Sequence, residues 1–329
     1  MALAEAYRRQ VALLLKTIPF IAKETCFALK GGTGINLFVR DLPRLSVDID
    51  LAYPPVSPRA RSLGAIDKAM TRIAGRIRKG IDGAHVDETR HEAAVTKLVV
   101  RQAGVQIKIE VTPVLRGCVY APELRSVTPA VEALFGFAEM RVVSFADLYA
   151  GKIVAALDRQ HPRDLFDVRG LLANEGIGDE LRKAFIVYLL SHHRPMSEVL
   201  NVRPKDMAQE FEQNFRGMTT EPIELSALID ARAALVEAVV KRIPDQHRRF
   251  LLSFETGQPD WDLLGLPNVD KLPAVKWRQQ NLAKIDESKR ADLVAQLATV
   301  LGMNAGGLQL KPAPDAVPPV KPGRIWKRE

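Results

Sequence analysis

The chain has 329 residues, of which 47% are hydrophobic and 26% are charged. This composition supports a full hydrophobic core and excludes global disorder, and the length predicts two domains. Lys and Arg number 47 against 39 acidic residues, a net charge of +8 that favours a polyanionic partner. The two cysteines, Cys26 and Cys118, are too few for a disulfide scaffold, so we expect a reducing, cytoplasmic setting.

No membrane-spanning segment is expected near the start of the chain. The apolar run at residues 11–15 is closed by Lys16, whereas a spanning helix needs roughly 20 apolar residues. The spacing of Val11, Leu14 and Ile18 instead predicts an amphipathic helix that packs on the elements after it in the chain.

Strands and helices alternate in the first part of the chain. We predict helices at residues 35–40 and 58–80, and strands at 27–30, 46–53, 96–101 and 105–112, the last ended by Pro113. Two strands separated by a long helix predict an α+β or α/β domain, and we expect α+β with a small mixed sheet over residues 1–143.

Helical spacing dominates after about residue 144. We predict helices at residues 145–159, 163–175, 179–190, 204–216 and 224–242. A mostly helical second domain is therefore expected over residues 144–305. Proline recurs among Ala, Val and Lys in residues 306–329, which predicts a flexible tail.

Gly31, Gly32 and Thr33 stand between a predicted strand and a predicted helix. Glycines there let backbone N–H groups approach an anion, and the helix N-terminus adds favourable partial charge. The run is neither a dinucleotide fingerprint nor a P-loop. It predicts a phosphate-binding turn, although glycine pairs also close many ordinary turns.

Asp48 and Asp50 alternate with apolar residues in a predicted strand, so their carboxylates share one face. Two carboxylates roughly 7 Å apart repel each other unless a cation lies between them. Mg²⁺, or Mn²⁺, accepts such ligands and leaves positions for phosphate oxygens. Glu110 lies on a later strand and is a candidate third ligand. The alternative for the two aspartates is a solvated acidic sheet face, and the alternative for Glu110 is a Lys–Glu pair on a solvated sheet face.

The order of these signals resembles the nucleotidyltransferase fold of DNA polymerase β, and the sequence resembles one family more closely. Residues 29–37 and 45–51 are similar to the AbiEii/AbiGii nucleotidyltransferase toxins, as are three later runs, at 151–153, 159–167 and 259–267. The resemblance spans roughly residues 25–280 and is most specific in its first part.

Site residues follow from this resemblance by position. It implies that Asp48 and Asp50 form the metal-binding pair, that Lys152 binds the nucleotide, and that Asp167 is the last catalytic acid, with Asp164 as its rival. It also implies an effector of a type IV toxin–antitoxin or phage-defence system. Such a toxin uses an NTP and has a cognate winged-helix antitoxin that acts without a stable complex.

Four cations and one hydroxyl complete the candidate residues. Basic runs make Arg72, Arg76, Arg182 and Lys183 candidates for contact with RNA, although most such runs are solvated faces. Ser46 shares a strand face with the aspartates, so its phosphorylation would place negative charge beside the metal ligands.

The sequence thus predicts a Mg²⁺-dependent nucleotidyltransferase toxin that modifies an RNA end, with the tRNA 3′ end as the expected acceptor. One alternative keeps the site but has a small-molecule or protein acceptor. Another is a non-catalytic nucleic-acid-binding module, which two mutually repelling acids argue against.

Overall fold

The computed structural model describes residues 5–92 and 94–303, with residues 113–115 described by their backbone alone. The predicted tail at residues 306–329 lies outside these ranges. Seven strands are present in them: β1 (Ala28–Lys30), β2 (Asp48–Tyr53), β3 (His85–His91), β4 (Ala94–Gln102), β5 (Val105–Arg116), β6 (Glu123–Ser126) and β7 (Glu139–Val142).

Thirteen α-helices lie in the same ranges. Four of them come before the first strand or between strands in the chain: α1 (Glu5–Ala22), α2 (Gly31–Phe38), α3 (Arg59–Gly80) and α4 (Pro129–Phe135). The others come after it: α5 (Phe145–Asp158), α6 (Pro162–Asn174), α7 (Asp179–Leu190), α8 (Met196–Leu200), α9 (Ala208–Asn214), α10 (Leu225–Val236), α11 (Asp245–Glu255), α12 (Pro273–Ala283) and α13 (Glu287–Leu301). None of these helices combines the length and apolar character needed to cross a bilayer.

The strands form one mixed sheet in the order β3-β4-β5-β2-β1-β7-β6. Strand β2 is central, antiparallel to β1 and parallel to β5. Its alternation buries Ile49 and Leu51 fully, in the core against which α1 and α3 pack. Asp48 and Asp50 therefore lie on the opposite face. The predicted α+β class, with a mixed sheet followed by helices, is confirmed.

Several predicted boundaries are wrong. The helix predicted at 204–216 spans only Ala208–Asn214, and the one predicted at 224–242 ends as an α-helix at Val236 and continues as a π-helix. Two further differences lie close to the central strand. Strand β5 continues past Pro113 to Arg116, because its pairing with β2 shifts register between Leu51 and Tyr53, and proline is tolerated at such an irregularity. Helix α2 begins at Gly31 rather than at residue 35, so the two glycines form its first turn.

The sequence analysis also missed three strands, β3, β6 and β7. Strands β3 and β6 are the two edges of the sheet, and most of their side chains are polar and exposed. They consequently lack the apolar alternation by which strands are recognised. The division at residues 143 and 144 stays a prediction.

Candidate active site

The floor of the candidate site is the Asp48–Asp50 face of β2. Asp50 lies opposite Lys30 of β1 and Glu110 of β5, and Asp48 lies opposite Lys108. Burial raises the pKa of Asp50 above its ordinary value; the Lys30 ammonium counteracts this and the Asp48 carboxylate adds to it. Within the described residues, neither aspartate carboxylate accepts a hydrogen bond or forms an ion pair.

The N-terminus of α2 lies directly against this pair. Gly31 has φ +75°, and a Cβ there would come within 2.5 Å of Oδ2 of Asp50. Only glycine accommodates both the left-handed backbone and the close approach. No side chain caps the first turn, so its N–H groups remain available to an anion beside the two carboxylates.

Thr33 and Ser46 hold α2 to β2 beneath the site. The Thr33 side chain is fully buried, and its hydroxyl donates to the backbone carbonyl of Asp48. Its oxygen lies 3.0 Å from Oγ of Ser46. The structure thus gives Thr33 a positioning contact with the Asp48 backbone, and a direct contact of its hydroxyl with nucleotide stays a prediction. Regulation through Ser46 also stays a prediction.

Lys152 lies on α5 between two buried carboxylates. Its Nζ is 2.8 Å from Oδ1 of Asp164 and 3.1 Å from Oδ2 of Asp167. All three side chains are at most 8% exposed, so this lysine is not an ordinary solvated surface residue. It lies close enough to Asp50 to lower the pKa of that carboxyl.

Asp167 and Asp164 differ in their other partners. Arg44, itself buried, donates from Nε to Oδ1 of Asp167 at 2.7 Å and from Nη2 to Oδ2 at 2.5 Å. Arg159 pairs with Asp164 at 2.5 Å while keeping 62% of its side chain exposed. The result is a chain of alternating charges: Arg44, Asp167, Lys152, Asp164, Arg159.

Arg44 is a site residue that the sequence analysis missed. A Cβ on Gly32 would come within 2.8 Å of its Nη2, so Gly32 leaves the space that the guanidinium occupies. Arg44 also donates to the carbonyl of Leu45. Its partner Asp167 is 123 residues away in the chain, and no local pattern could have indicated the pair.

Lys30 was not among the predicted site residues, yet it borders the carboxylate pair. Its ammonium donates to Oγ1 of Thr112 at 3.2 Å. Burial lowers the pKa of Lys30, and Asp50 opposes that effect. A lysine immediately before the two glycines was the only available signal.

Glu110 lies next to Asp50 in register but is engaged elsewhere. Its Oε1 is 2.7 Å from Nζ of Lys97 on β4. Among the described residues, no group of three or more His, Cys, Asp or Glu side chains is arranged to hold a metal ion. The role of Glu110 as a third ligand is therefore unsupported by this geometry and stays a prediction.

The Asp48–Asp50 pair itself fits a hard divalent cation. It offers carboxylate oxygens that have no hydrogen bond or ion pair within the described part of the chain, and its mutual repulsion would be relieved by a cation. Mg²⁺ and Mn²⁺ take such ligands, with water and phosphate oxygens as the remaining ones.

The four predicted RNA-contact cations all hold partners within the protein. Arg72 and Arg76 both pair with Glu24, at 2.6 and 2.7 Å. Arg182 donates to two backbone carbonyls, and Lys183 pairs with Asp179 one helical turn away. None of the contacts described for these four residues joins them to the Asp48–Asp50 pair.

Comparison with known proteins gives one family and one fold. The family model described as "Nucleotidyl transferase AbiEii toxin, Type IV TA system" matches residues 13–279. MenT4, a nucleotidyltransferase toxin from Mycobacterium tuberculosis H37Rv, is similar in structure with a TM-score of 0.55. The two sequences are 18% identical, and the structural match covers 90% of this chain and 94% of MenT4. This likeness shows a shared fold. No curated protein matches the chain.

Proposed function

The chain belongs to the AbiEii nucleotidyltransferase toxin family of type IV toxin–antitoxin systems, and we propose that it transfers nucleotides from an NTP to RNA. The proposed acceptor is the 3′ end of tRNA. One observation carries the proposal. The carboxylates of Asp48 and Asp50 have no hydrogen bond or ion pair among the described residues, and the uncapped first turn of α2 lies directly against them.

Each part of this arrangement has a role in nucleotidyl transfer. Asp48 and Asp50 would hold Mg²⁺ or Mn²⁺, which would supply positive charge to the reacting phosphates. The backbone N–H groups of Gly31 and Gly32 would bind triphosphate oxygens. Lys152 adds a cation at the edge of the pair, and Asp164 and Asp167 fix its position.

The family implies a cognate antitoxin and an NTP substrate. We further propose a winged-helix antitoxin that acts without a stable complex. The toxin would act in the cytoplasm, where transfer to tRNA would block translation and arrest growth during phage defence.

The test is a transfer assay with each labelled NTP in turn and total RNA, with Mg²⁺, Mn²⁺ or a chelator. We expect label in RNA of tRNA size, lost with the chelator. Asp48→Asn and Asp50→Asn should each lower transfer by more than about a hundredfold, because each removes a charged metal ligand. Asp87→Asn is the matched control, since Asp87 is a partly exposed acid of edge strand β3 that pairs with Arg101.

The outcomes separate the parts of the proposal. Near-wild-type transfer by either active-site variant, with a native melting profile, would overturn the metal assignment. Label found in protein or in a small molecule, and none in RNA, would overturn the acceptor while leaving nucleotidyl transfer intact.

A further inference from the structure

Asn36 is a polar residue in a buried stretch of α2. Its side chain is fully buried, as are those of its chain neighbours Ile35 and Leu37. The Nδ2 group of Asn36 donates to the carbonyl of Gly32, one turn earlier in the helix, at 2.9 Å. It also donates to Oδ1 of Asp167 on α6 at 3.3 Å. Both hydrogens of this amide nitrogen are therefore used, one within α2 and one across to α6.

The two acceptors fix the orientation of the Asn36 amide. The carbonyl of Gly32 and the carboxylate of Asp167 can only accept, so a flipped amide would place Oδ1 against two oxygens. In the observed orientation Oδ1 is buried and has no hydrogen-bond partner among the described residues. A buried acceptor without a partner costs free energy that an apolar side chain of similar size would avoid. The two donated hydrogen bonds, rather than packing, therefore account for an asparagine at this position.

The bond to Gly32 acts on the first turn of α2. A peptide unit is planar, so the direction of the Gly32 carbonyl also sets the direction of the Thr33 N–H group. That N–H group belongs to the uncapped first turn, and it points towards the N-terminal end of the helix. Asn36 thus orients one of the donors that face the proposed triphosphate, and a hydrogen bond to the carbonyl strengthens the donor by polarising the peptide.

The bond to Asp167 acts on Lys152. Oδ2 of Asp167 lies 3.1 Å from Nζ of Lys152, so three consecutive contacts join the first turn of α2 to the lysine. They are Gly32 to Asn36, Asn36 to Asp167, and Asp167 to Lys152. A side-chain amide carries two hydrogens on one nitrogen and can serve two acceptors at once, whereas a hydroxyl carries only one.

We propose that Asn36 is a positioning residue that aligns the first turn of α2 with Lys152, so that both act on the same triphosphate. This rests on the proposed binding of an NTP at this site, and it holds whichever acceptor receives the nucleotide. Without the amide, the turn and the lysine would move independently of each other. The effect of Asn36 should therefore depend on the presence of Lys152, which a merely structural role would not produce.

The experiment measures the Kd of each of the four NTPs with Mg²⁺ by isothermal titration calorimetry. Asn36→Leu removes both donors, and Asn36→Ser keeps a donor for the carbonyl one turn back but is too short to reach Asp167. Each is combined with Lys152→Met in a double-mutant cycle. The matched control is Leu37→Ala, at a buried apolar side chain of the same helix, alone and with Lys152→Met. Melting profiles set the temperature at which all variants are folded.

Asn36→Leu, Asn36→Ser and Lys152→Met should each raise the Kd for NTP about tenfold, the size expected for loss of one hydrogen bond to a charged group. Each Asn36 double variant should stay near ten- to twentyfold, rather than the roughly hundredfold of independent effects. Leu37→Ala should lower the melting temperature and leave the Kd within about twofold of wild type, because it touches none of the three contacts.

The outcomes separate this role from the proposed function. Asn36 variants that bind NTP like the wild type, or whose effect multiplies with that of Lys152→Met, would overturn the positioning role. Wild-type affinity in Asn36→Ser alone would overturn the part played by the bond to Asp167. A wild type that binds NTP but labels no RNA would overturn the acceptor, while the binding cycle still decides the role of Asn36. A wild type that binds no NTP would overturn both.

Discussion

Two buried cations hold the carboxylate of Asp167, Arg44 through a two-pronged contact and Lys152 at 3.1 Å. Burial opposes ionisation of Asp167, but Arg44 and Lys152 together hold its pKa below the ordinary value. A carboxylate that is both ionised and fully paired is a weak proton acceptor. At the scale of single residues, the geometry therefore favours a positioning role for Asp167, through Arg44 and Lys152, over direct proton transfer.

Substitutions on the two sides of this ion pair should have similar effects on transfer. Arg44→Lys keeps the charge but cannot form the two-pronged contact, and Asp167→Asn keeps the shape but loses the charge. We expect each to lower kcat/KM about a hundredfold, since small displacements of a site have effects of this size. The double variant should be little worse than either single one, because both remove the same unit.

The kinetic comparison also decides the role of Asp167. Arg44→Lys with near-wild-type kcat/KM, alongside an inactive Asp167→Asn, would give Asp167 a direct catalytic role. Melting profiles of all three variants serve as the control for loss of fold.

At the scale of elements, the pairing of α5 with α6 depends on a buried carboxylate. Burial opposes ionisation of Asp164, but Lys152 and Arg159 outweigh it and lower the pKa of Asp164 below its ordinary value. A depressed pKa in the folded state stabilises the fold at pH values above the unfolded-state pKa, about 3.9. That contribution is lost as the pH falls towards the folded-state pKa.

Asp164→Asn should therefore destabilise the protein most at neutral pH. Removing one partner of a buried ion pair costs about 3–5 kcal/mol, and we expect a loss of unfolding free energy of this order at pH 7. The difference from wild type should shrink below about pH 4, because protonation of the unfolded state then removes the advantage of the wild-type carboxylate. Urea unfolding at pH 7, 4 and 3 measures both effects.

Asp230→Asn, at an exposed position of α10, is the reference variant and should change the unfolding free energy by less than about 0.5 kcal/mol at each pH. An Asp164→Asn deficit that is the same at all three pH values would contradict the view that Asp164 is ionised through its pairing in the folded protein.

At the scale of the whole molecule, the sheet and the helices that come after it are joined by buried polar contacts. Arg44, which precedes β2, pairs with Asp167 of α6. Asp147 of α5 accepts hydrogen bonds from the backbone N–H groups of Val119 and Tyr120, at 2.9 and 3.0 Å. Separating the two parts would leave these buried charges without partners, at a high cost in free energy.

We therefore predict that the two parts unfold together. Differential scanning calorimetry should give a single transition whose calorimetric and van't Hoff enthalpies agree. Fragments 1–143 and 144–305, expressed separately, should show no cooperative melting. Two resolved transitions, or a fragment that melts cooperatively on its own, would show that the parts are independent domains.

Features that neighbouring residues encode could be read from the chain alone. The alternation from Val47 to Leu51 placed both aspartates on one strand face, and the glycines at 31 and 32 marked the junction of β1 with α2. Helix α7 has the predicted bounds, because its apolar spacing is complete within a few turns. The family resemblance followed from the same local runs and is confirmed.

Which charges are paired became clear from the fold and could not be read from the chain. Arg44 and Asp167 meet across 123 residues, and Lys152, which a surface helix would have left solvated, is buried between two acids. The basic runs chosen from the sequence hold internal partners, whereas Lys108 and Arg203 have no carboxylate partner in the described residues. The cause is physical. The pattern of neighbouring residues fixes the face of a strand or helix on which a side chain lies, but its charge partner depends on which distant element packs against that face.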